Sequence, residues 1–267
     1  MKKKYLIYGI ITTTISILFV VFGLLIGNVW LKDKSGSFIS TVLYILAAIT
    51  LLISFSFYNR LFERLSTKQI VLISMMSAFS IILYYIPRWI PIFHLPFTPS
   101  WLDFQVSDIP AILTSFMYGP VSGVIIIVIR FIIKLPMTQT IGVGELADLI
   151  LGISFVIVSG LIYKKNRTFK GALLGSLAGV LVATTVACLT NWLILIPAYI
   201  NIAGFPESAL ISGMSYISNV DASNFMIYYI FVGVLPFNLI RYLAVLVITF
   251  VLYKHVHRLF DRYTMEA

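Results

Sequence analysis

Charge is what this chain has least of. Only 11% of its 267 residues are Asp, Glu, Lys or Arg, and it has a single cysteine. A soluble domain carries about 25% charged residues, so a water-exposed globule is excluded. Cys188 has no second cysteine to pair with, which rules out an intramolecular disulfide and the usual multi-cysteine zinc or iron–sulfur site. It reads as a small core residue. No H-E-x-x-H helix, no G-x-S-x-G elbow and no Walker-type phosphate loop occurs. Hydrolytic chemistry on this chain is therefore not expected. We expect no enzyme activity, no metal and no cofactor, and any ATP-driven step would need a partner to hydrolyse the nucleotide.

What the chain has in excess is apolar sequence. Hydrophobic residues make up 60% of it, and mean hydropathy is +1.01. The length accommodates roughly eight spans of ~20 residues with short connections. The net charge of +9 invites a nucleic-acid reading, but the positions of the basic residues exclude it. They cluster between apolar runs: Lys2 to Lys4; Arg60, Arg64 and Lys68; Lys164, Lys165, Arg167 and Lys170; Lys254, Arg258 and Arg262. Such clusters mark cytoplasmic segments of a membrane protein. The reading is an all-α integral membrane protein of eight helices, with the bilayer as solvent and both termini cytoplasmic.

Residues 1–58 read as an N-terminal hairpin of two transmembrane helices. The first is retained, because no small-residue cleavage site follows it. Residues 59–68 read as a basic cytoplasmic linker, and 69–267 as a core of six helices. Two of these, 107–119 and 120–134, are short and meet at Gly119-Pro120, a turn signal. The stretch 87–104 holds four prolines and reads as irregular outer structure. Its Trp89 and Trp101 suit interfacial anchors or a lid over a cavity. His94 has no neighbouring ligand for a metal.

Ionisable residues within apolar sequence are costly and point to a site or a polar network. Asp103, Asp108, Arg130, Lys134, Glu145 and Asp148 are of this kind. Glu145 and Asp148 are three apart at a helix start, where the dipole favours acids, so capping is expected to be their main role. Gly171, Gly175 and Gly179 form a close-packing stripe, and Ser74 and Ala78 share a face of small residues. Asn191 and Asn238 can each donate and accept hydrogen bonds. Arg241 follows Asn238 by three and shares its face. Trp192, Tyr199, Phe237 and Trp101 offer flat surfaces for a ring. Gln105, Ser107, Asp103 and Asp108 suit ligand hydroxyls. Together these residues fit an outward-facing site for a neutral or weakly charged organic molecule with one flat face and a pyrimidine-like edge.

The segments LDFQVSDIPAILTSFMYGPVSGV, GELADLILG, NW and VLPFNLIRYLAVLVITFVLYK occur in that order. They resemble the substrate-binding S components of energy-coupling factor (ECF) vitamin transporters, most of all the riboflavin-specific, RibU-type members. The resemblance covers about residues 69–260. It implies a six-helix S-component core, to which the N-terminal hairpin is an addition. It further implies riboflavin or a related flavin as transported ligand, a transmembrane coupling subunit with two cytoplasmic ATPase subunits as partners, and a bacterial plasma membrane. Substrate binding would fall on Asp103, Gln105, Asp108, Asn191, Trp192, Phe237, Asn238 and Arg241. Partner docking would fall on Ser74 and Ala78. This chain has Arg241 and Trp192 where the riboflavin members carry Lys and Tyr. Two alternatives stand beside this reading: an S component for FMN or another vitamin, and an autonomous ion-coupled carrier using Arg130, Glu145 and Asp148.

Overall fold

In the computed structural model, the described residues are 65–89, 102, 104–138, 142–201, 204–217 and 219–265, with scattered positions between 8 and 54. The chain divides into two compact units, Met1–Ser66 with Pro197–Gly204 and Thr67–Ile196 with Phe205–Ala267. In the first unit the described residues before 55 are helical. Its two helical runs are tied by the Ser16 hydroxyl, which donates to the Ala47 carbonyl at 2.7 Å.

The second unit starts with α1 (Thr67–Trp89), which continues through Pro87 into the proline-rich stretch. Next come α2 (Ile109–Tyr118) and α3 (Pro120–Lys134), the latter extended by a 3₁₀ turn over Leu135–Met137. They are followed by α4 (Val143–Lys165) and α5 (Phe169–Thr190). A π turn at Asn191–Leu195 leads into α6 (Ile196–Asn201), whose residues from Pro197 onward are counted with the first unit. Short α7 (Glu207–Ser212) and α8 (Phe225–Tyr228) precede a second π turn at Tyr229–Val234 and the long α9 (Leu235–Met265). Among the described residues there is no strand. The fold is all-helical.

Among the described residues, five helical stretches are long and apolar enough to cross a membrane: Thr67–Ile86, Pro120–Met137, Val143–Lys165, Phe169–Asn201 and Phe225–Tyr253. Both helices expected to be short are so as α-helices, with 10 residues in α2 and 15 in α3. With its 3₁₀ extension, α3 reaches 18 residues. Between them Gly119 adopts φ 95°, a conformation that strains residues bearing a Cβ. Pro120 then opens α3 where its missing N–H costs nothing. Nine of the ten residues of α2 are buried. A half-length helix enclosed by longer ones need not face lipid with its open backbone ends.

The core is built on Ile112, Ile126, Ile127, Phe155, Val156 and Val180. The outer surface carries Ile70, Val71, Met75, Phe79, Leu174, Leu181, Val247 and Val251, all exposed. An apolar exterior of this kind suits hydrocarbon rather than water. Packing is closest between α4 and α5. A Cβ at Gly175 would lie 2.7 Å from the Ser159 carbonyl oxygen, and one at Gly179 would lie 2.9 Å from that of Phe155. The glycine stripe thus sets the approach of these two helices, as small residues do where lipid offers no hydrophobic drive.

Candidate functional site

Five charged residues of the second unit converge: Asp108, Arg130, Lys134, Asp148 and Arg241. Arg130 of α3 is 1% exposed. Its Nη2 meets Asp108 Oδ1 at 2.7 Å. Its Nη1 donates to Ser107 Oγ at 2.7 Å and to Ser80 Oγ at 3.2 Å. Ser80 in turn donates to the Ser107 carbonyl at 2.6 Å, holding α1 against the segment that enters α2. The second oxygen of Asp108 takes Arg241 Nη2 from α9 at 3.2 Å. Arg241 Nη1 reaches Asp148 Oδ1 on α4 at 3.3 Å. Asp148 Oδ2 accepts from Lys134 Nζ at 2.6 Å and from Gln105 Nε2 at 2.7 Å. Ser107 Oγ donates to Gln105 Oε1 at 2.9 Å. Lys134 Nζ also sits 3.7 Å from the centre of the Tyr84 ring, a cation–π contact.

Each carboxylate therefore holds two cations. Burying one ion costs several kcal/mol unless geometry and hydrogen bonds compensate, and here five charged groups compensate one another. The local sequence allows this. Asp108 precedes α2 without capping it through its side chain, which frees the carboxylate for Arg130. Gly152 leaves it room, since a Cβ there would sit 3.2 Å from Asp108 Oδ1.

Capping was expected of both Glu145 and Asp148, and the two differ. Glu145 lies in the first turn of α4 and its Oε2 accepts from Thr138 Oγ1 at 2.7 Å. The Gly142 N–H donates to the same hydroxyl at 2.9 Å, which fastens the connection onto the helix start. Asp148 does not cap. It lies one turn further in, where Lys134 and Arg241 reach it, and ion pairing replaces the dipole contact.

Two buried amides follow, Asn191 just after α5 and Asn238 on α9. Asn191 opens the first π turn. Its Nδ2 donates to the Ala187 carbonyl at 2.9 Å, and its Oδ1 accepts from Tyr229 OH at 2.8 Å. Tyr229 opens the second π turn and stacks on Phe225. Such bulges recur at functional sites. Asn238 Nδ2 donates to the Val234 carbonyl at 2.9 Å. Asn238 Oδ1 and Arg241 Nε, both buried, have no hydrogen-bond partner. Most buried polar atoms are paired, so a free acceptor and a free donor one helical turn apart call for a ligand or water.

Of the residues expected at a site, Gln105, Asp108 and Arg241 enter the ion-pair cluster directly. Asn238 and Phe237 are buried on the same part of α9, and Phe237 meets Phe104 edge-to-face at 6.5 Å. Asn191 is buried against Tyr229. Trp192 points away and is 50% exposed. Tyr199 belongs to the first unit. Asp103, Trp101 and His94 lie outside the described residues. Ser74 and Ala78 lie on the exposed face of α1 and so do not serve packing inside the unit. Sequence reasoning missed Ser80, Tyr84 and Tyr229. Ser80 carried a faint signal as a hydroxyl in an apolar run, whereas the tyrosines could not be told from interfacial aromatics. Among the described residues no group of three His, Cys, Asp or Glu forms a metal site.

Comparison with known proteins places this arrangement. Over 195 residues the chain is 28% identical to the riboflavin transporter RibU of Staphylococcus aureus strain TCH60, covering 73% of this chain and 93% of that protein. Over 187 residues it is 26% identical to the riboflavin transporter FmnP of Bacillus subtilis strain 168, covering 69% and 89%. The solved structure of the S component of a bacterial ECF transporter superposes with a TM-score of 0.55 at 26% identity. It spans 72% of this chain and 96% of that one. Residues 68–253 match the family described as the substrate-specific component of ECF transporters. That span contains α1 to α6, both π turns, the charged cluster and the greater part of α9, so the chain belongs to the family of ECF transporter substrate-specific components.

Proposed function

We propose that the chain is the riboflavin-binding S component of an ECF transporter. The similarity to two riboflavin transporters across 93% and 89% of their length carries this reading. The chemistry of α9 supports it. Asn238 Oδ1 is a free acceptor and Arg241 Nε a free donor. Three residues apart on one helix, they suit an edge carrying an N–H next to a carbonyl, as in the pyrimidine ring of a flavin. Phe237 would add an apolar wall, and Asn191 a further amide. Asp103 and Trp192 are proposed to contribute to the pocket mouth.

In this reading the pocket opens outward, binds with high affinity and delivers the vitamin inward together with a transmembrane coupling subunit and two cytoplasmic ATPase subunits. Ser74 and Ala78, exposed on α1, are the proposed docking face for the coupling subunit. The protein would be a multi-pass component of a bacterial plasma membrane with both termini cytoplasmic. The N-terminal hairpin 1–58, the linker 59–68 and the core 69–267 are proposed as separate modules.

Fluorescence titration of the purified protein is the test. Riboflavin should be quenched on binding, and with higher affinity than FMN. Equal or tighter binding of FMN would move the assignment to the phosphorylated flavin. Absence of quenching by either would overturn the flavin reading. Uptake into vesicles should require the ATPase partners. Gradient-driven uptake by this chain alone would favour an ion-coupled carrier.

A further inference from the structure

The charged cluster has a consequence for selectivity that rests on the flavin reading above. Arg241 has five N–H donors. Its Nη2 is engaged by Asp108 at 3.2 Å and its Nη1 by Asp148 at 3.3 Å. Its Nε has no hydrogen-bond partner and faces no counter-ion of its own. The same two carboxylates also hold Arg130 and Lys134. Glu145 of α4 interacts electrostatically with Lys134. The charged groups are thus three acids, Asp108 and Glu145 buried and Asp148 16% exposed, and three buried bases, Arg130, Lys134 and Arg241. Tyr84 of α1 and Tyr242 of α9 border them as neutral rings. No charged side chain of α5 comes near, since Lys170 is at its far end and Asn191 is neutral.

We infer that Asp108 and Asp148 are specificity-determining positioning residues that act through Arg241. By engaging both of its terminal nitrogens and balancing its charge, they leave Nε as its only nitrogen without a partner and make the site select a neutral imide edge over the corresponding anion. A guanidinium with its charge free in a buried site would instead be a strong anion receptor. With acids and bases balanced, an anionic ligand would leave one negative charge uncompensated in a medium where that is costly. A neutral N–H and carbonyl pair satisfies Asn238 Oδ1 and Arg241 Nε without upsetting the balance.

The imide N–H of riboflavin supplies the readout, because its loss in alkaline solution changes the flavin absorbance. Riboflavin-loaded protein is titrated upward in pH and compared with free riboflavin. In the wild-type protein the bound imide should ionise at higher pH than the free ligand. In Asp148→Asn, where one base is left over, it should ionise at least about one unit lower than in wild type, a tenfold shift between the two ligand forms. Asp148→Glu should restore the wild-type value. The double variant Asp148→Asn with Lys134→Gln again has equal numbers of acids and bases, and should also return toward wild type although Asp148 is missing. A merely structural role would lower affinity for both ligand forms and leave the bound imide where it was.

Asp108→Asn is the independent second variant if Asp148→Asn does not fold, and the same downward shift is expected. An ionisation unmoved in a variant that still binds riboflavin overturns the inference and leaves the flavin reading intact. So does a double variant that stays with Asp148→Asn. Wild-type protein that does not bind riboflavin overturns the flavin reading itself.

Discussion

The two ends of α4 are held by opposite means. Near its start, Asp148 is fixed by Lys134 and Arg241, charges brought from α3 and α9. Toward its end, Ser159 and Phe155 lie against Gly175 and Gly179 of α5, with no charge involved. There Tyr163 and Tyr253 share a hydroxyl contact at 3.1 Å. The packed end needs only shape. The charged end needs every partner present, because removing one leaves another ion buried without compensation. The first arrangement is specific but fragile, and α9 carries beside it two buried polar atoms without a partner, Asn238 Oδ1 and Arg241 Nε. The second is structural.

Removing a charge should therefore produce the largest loss. Arg130→Leu would leave Asp108 with Arg241 alone and strip the donors from Ser80 and Ser107. The expected cost is about 3–5 kcal/mol, seen as a large drop in the unfolding temperature of the detergent-purified protein. Arg130→Lys should recover only part of it, since an ammonium cannot span Asp108, Ser107 and Ser80 as the guanidinium fork does. Full recovery would mean that charge alone matters at this end of α4. A neutral effect of Arg130→Leu would erase the difference between the two ends.

A smaller loss is expected at the packed end. Gly179→Ala places a Cβ 2.9 Å from the Phe155 carbonyl oxygen, a backbone atom that cannot step aside without moving α4. Overpacking of this kind costs about 1–3 kcal/mol. The same thermal unfolding assay checks it. Flavin affinity should change far less than stability, because the contact is remote in sequence and chemistry from Asn238 and Arg241. A selective loss of affinity would show that the α4–α5 seam shapes the site.

These two ends also differ in how legible they were. Small residues four apart show their shared face directly, so the Gly175 and Gly179 seam could be read from spacing. The Gly119-Pro120 break and the long spans were readable for the same reason, since each is a local pattern. Ion pairing is not local. Arg241 is 93 residues from Asp148 and 133 from Asp108, so Asp148 looked like a capping acid and Arg241 like a free ligand contact. The π turn at Asn191 hides a second feature. Residues adjacent on a helix point to different faces, so Asn191 goes inward and Trp192 outward, although the pair had suggested a joint site. The tyrosine partner of Asn191 had no pattern of its own.

Asn238→Ala sharpens the charged end from the ligand's side. Its Oδ1 has no protein partner, and its Nδ2 bonds only the carbonyl of its own helix. Little stability should be lost. Riboflavin affinity should fall by an amount equivalent to about 1–3 kcal/mol, the cost of removing a desolvated hydrogen-bonding group. Fluorescence titration reads it directly. Unchanged affinity would remove Asn238 from the site.

The smallest effect on the fold should come from Ser74→Leu, which touches neither end of α4. Ser74 is exposed on α1 among Ile70, Val71, Met75 and Phe79. Its hydroxyl is already satisfied by the Ile70 carbonyl at 2.9 Å, so no other helix depends on it. A leucine there adds one apolar side chain to an apolar exterior, and surface changes of this sort stay within about 0.5 kcal/mol. Riboflavin affinity should stay at the wild-type value. Uptake in the presence of the ATPase partners should nevertheless fall, because the larger side chain prevents the close helix approach that small residues permit. A fall in uptake with binding intact locates coupling on this face of α1, separate from the charged cluster and the proposed ligand site. Normal uptake would place the docking surface elsewhere on the bundle.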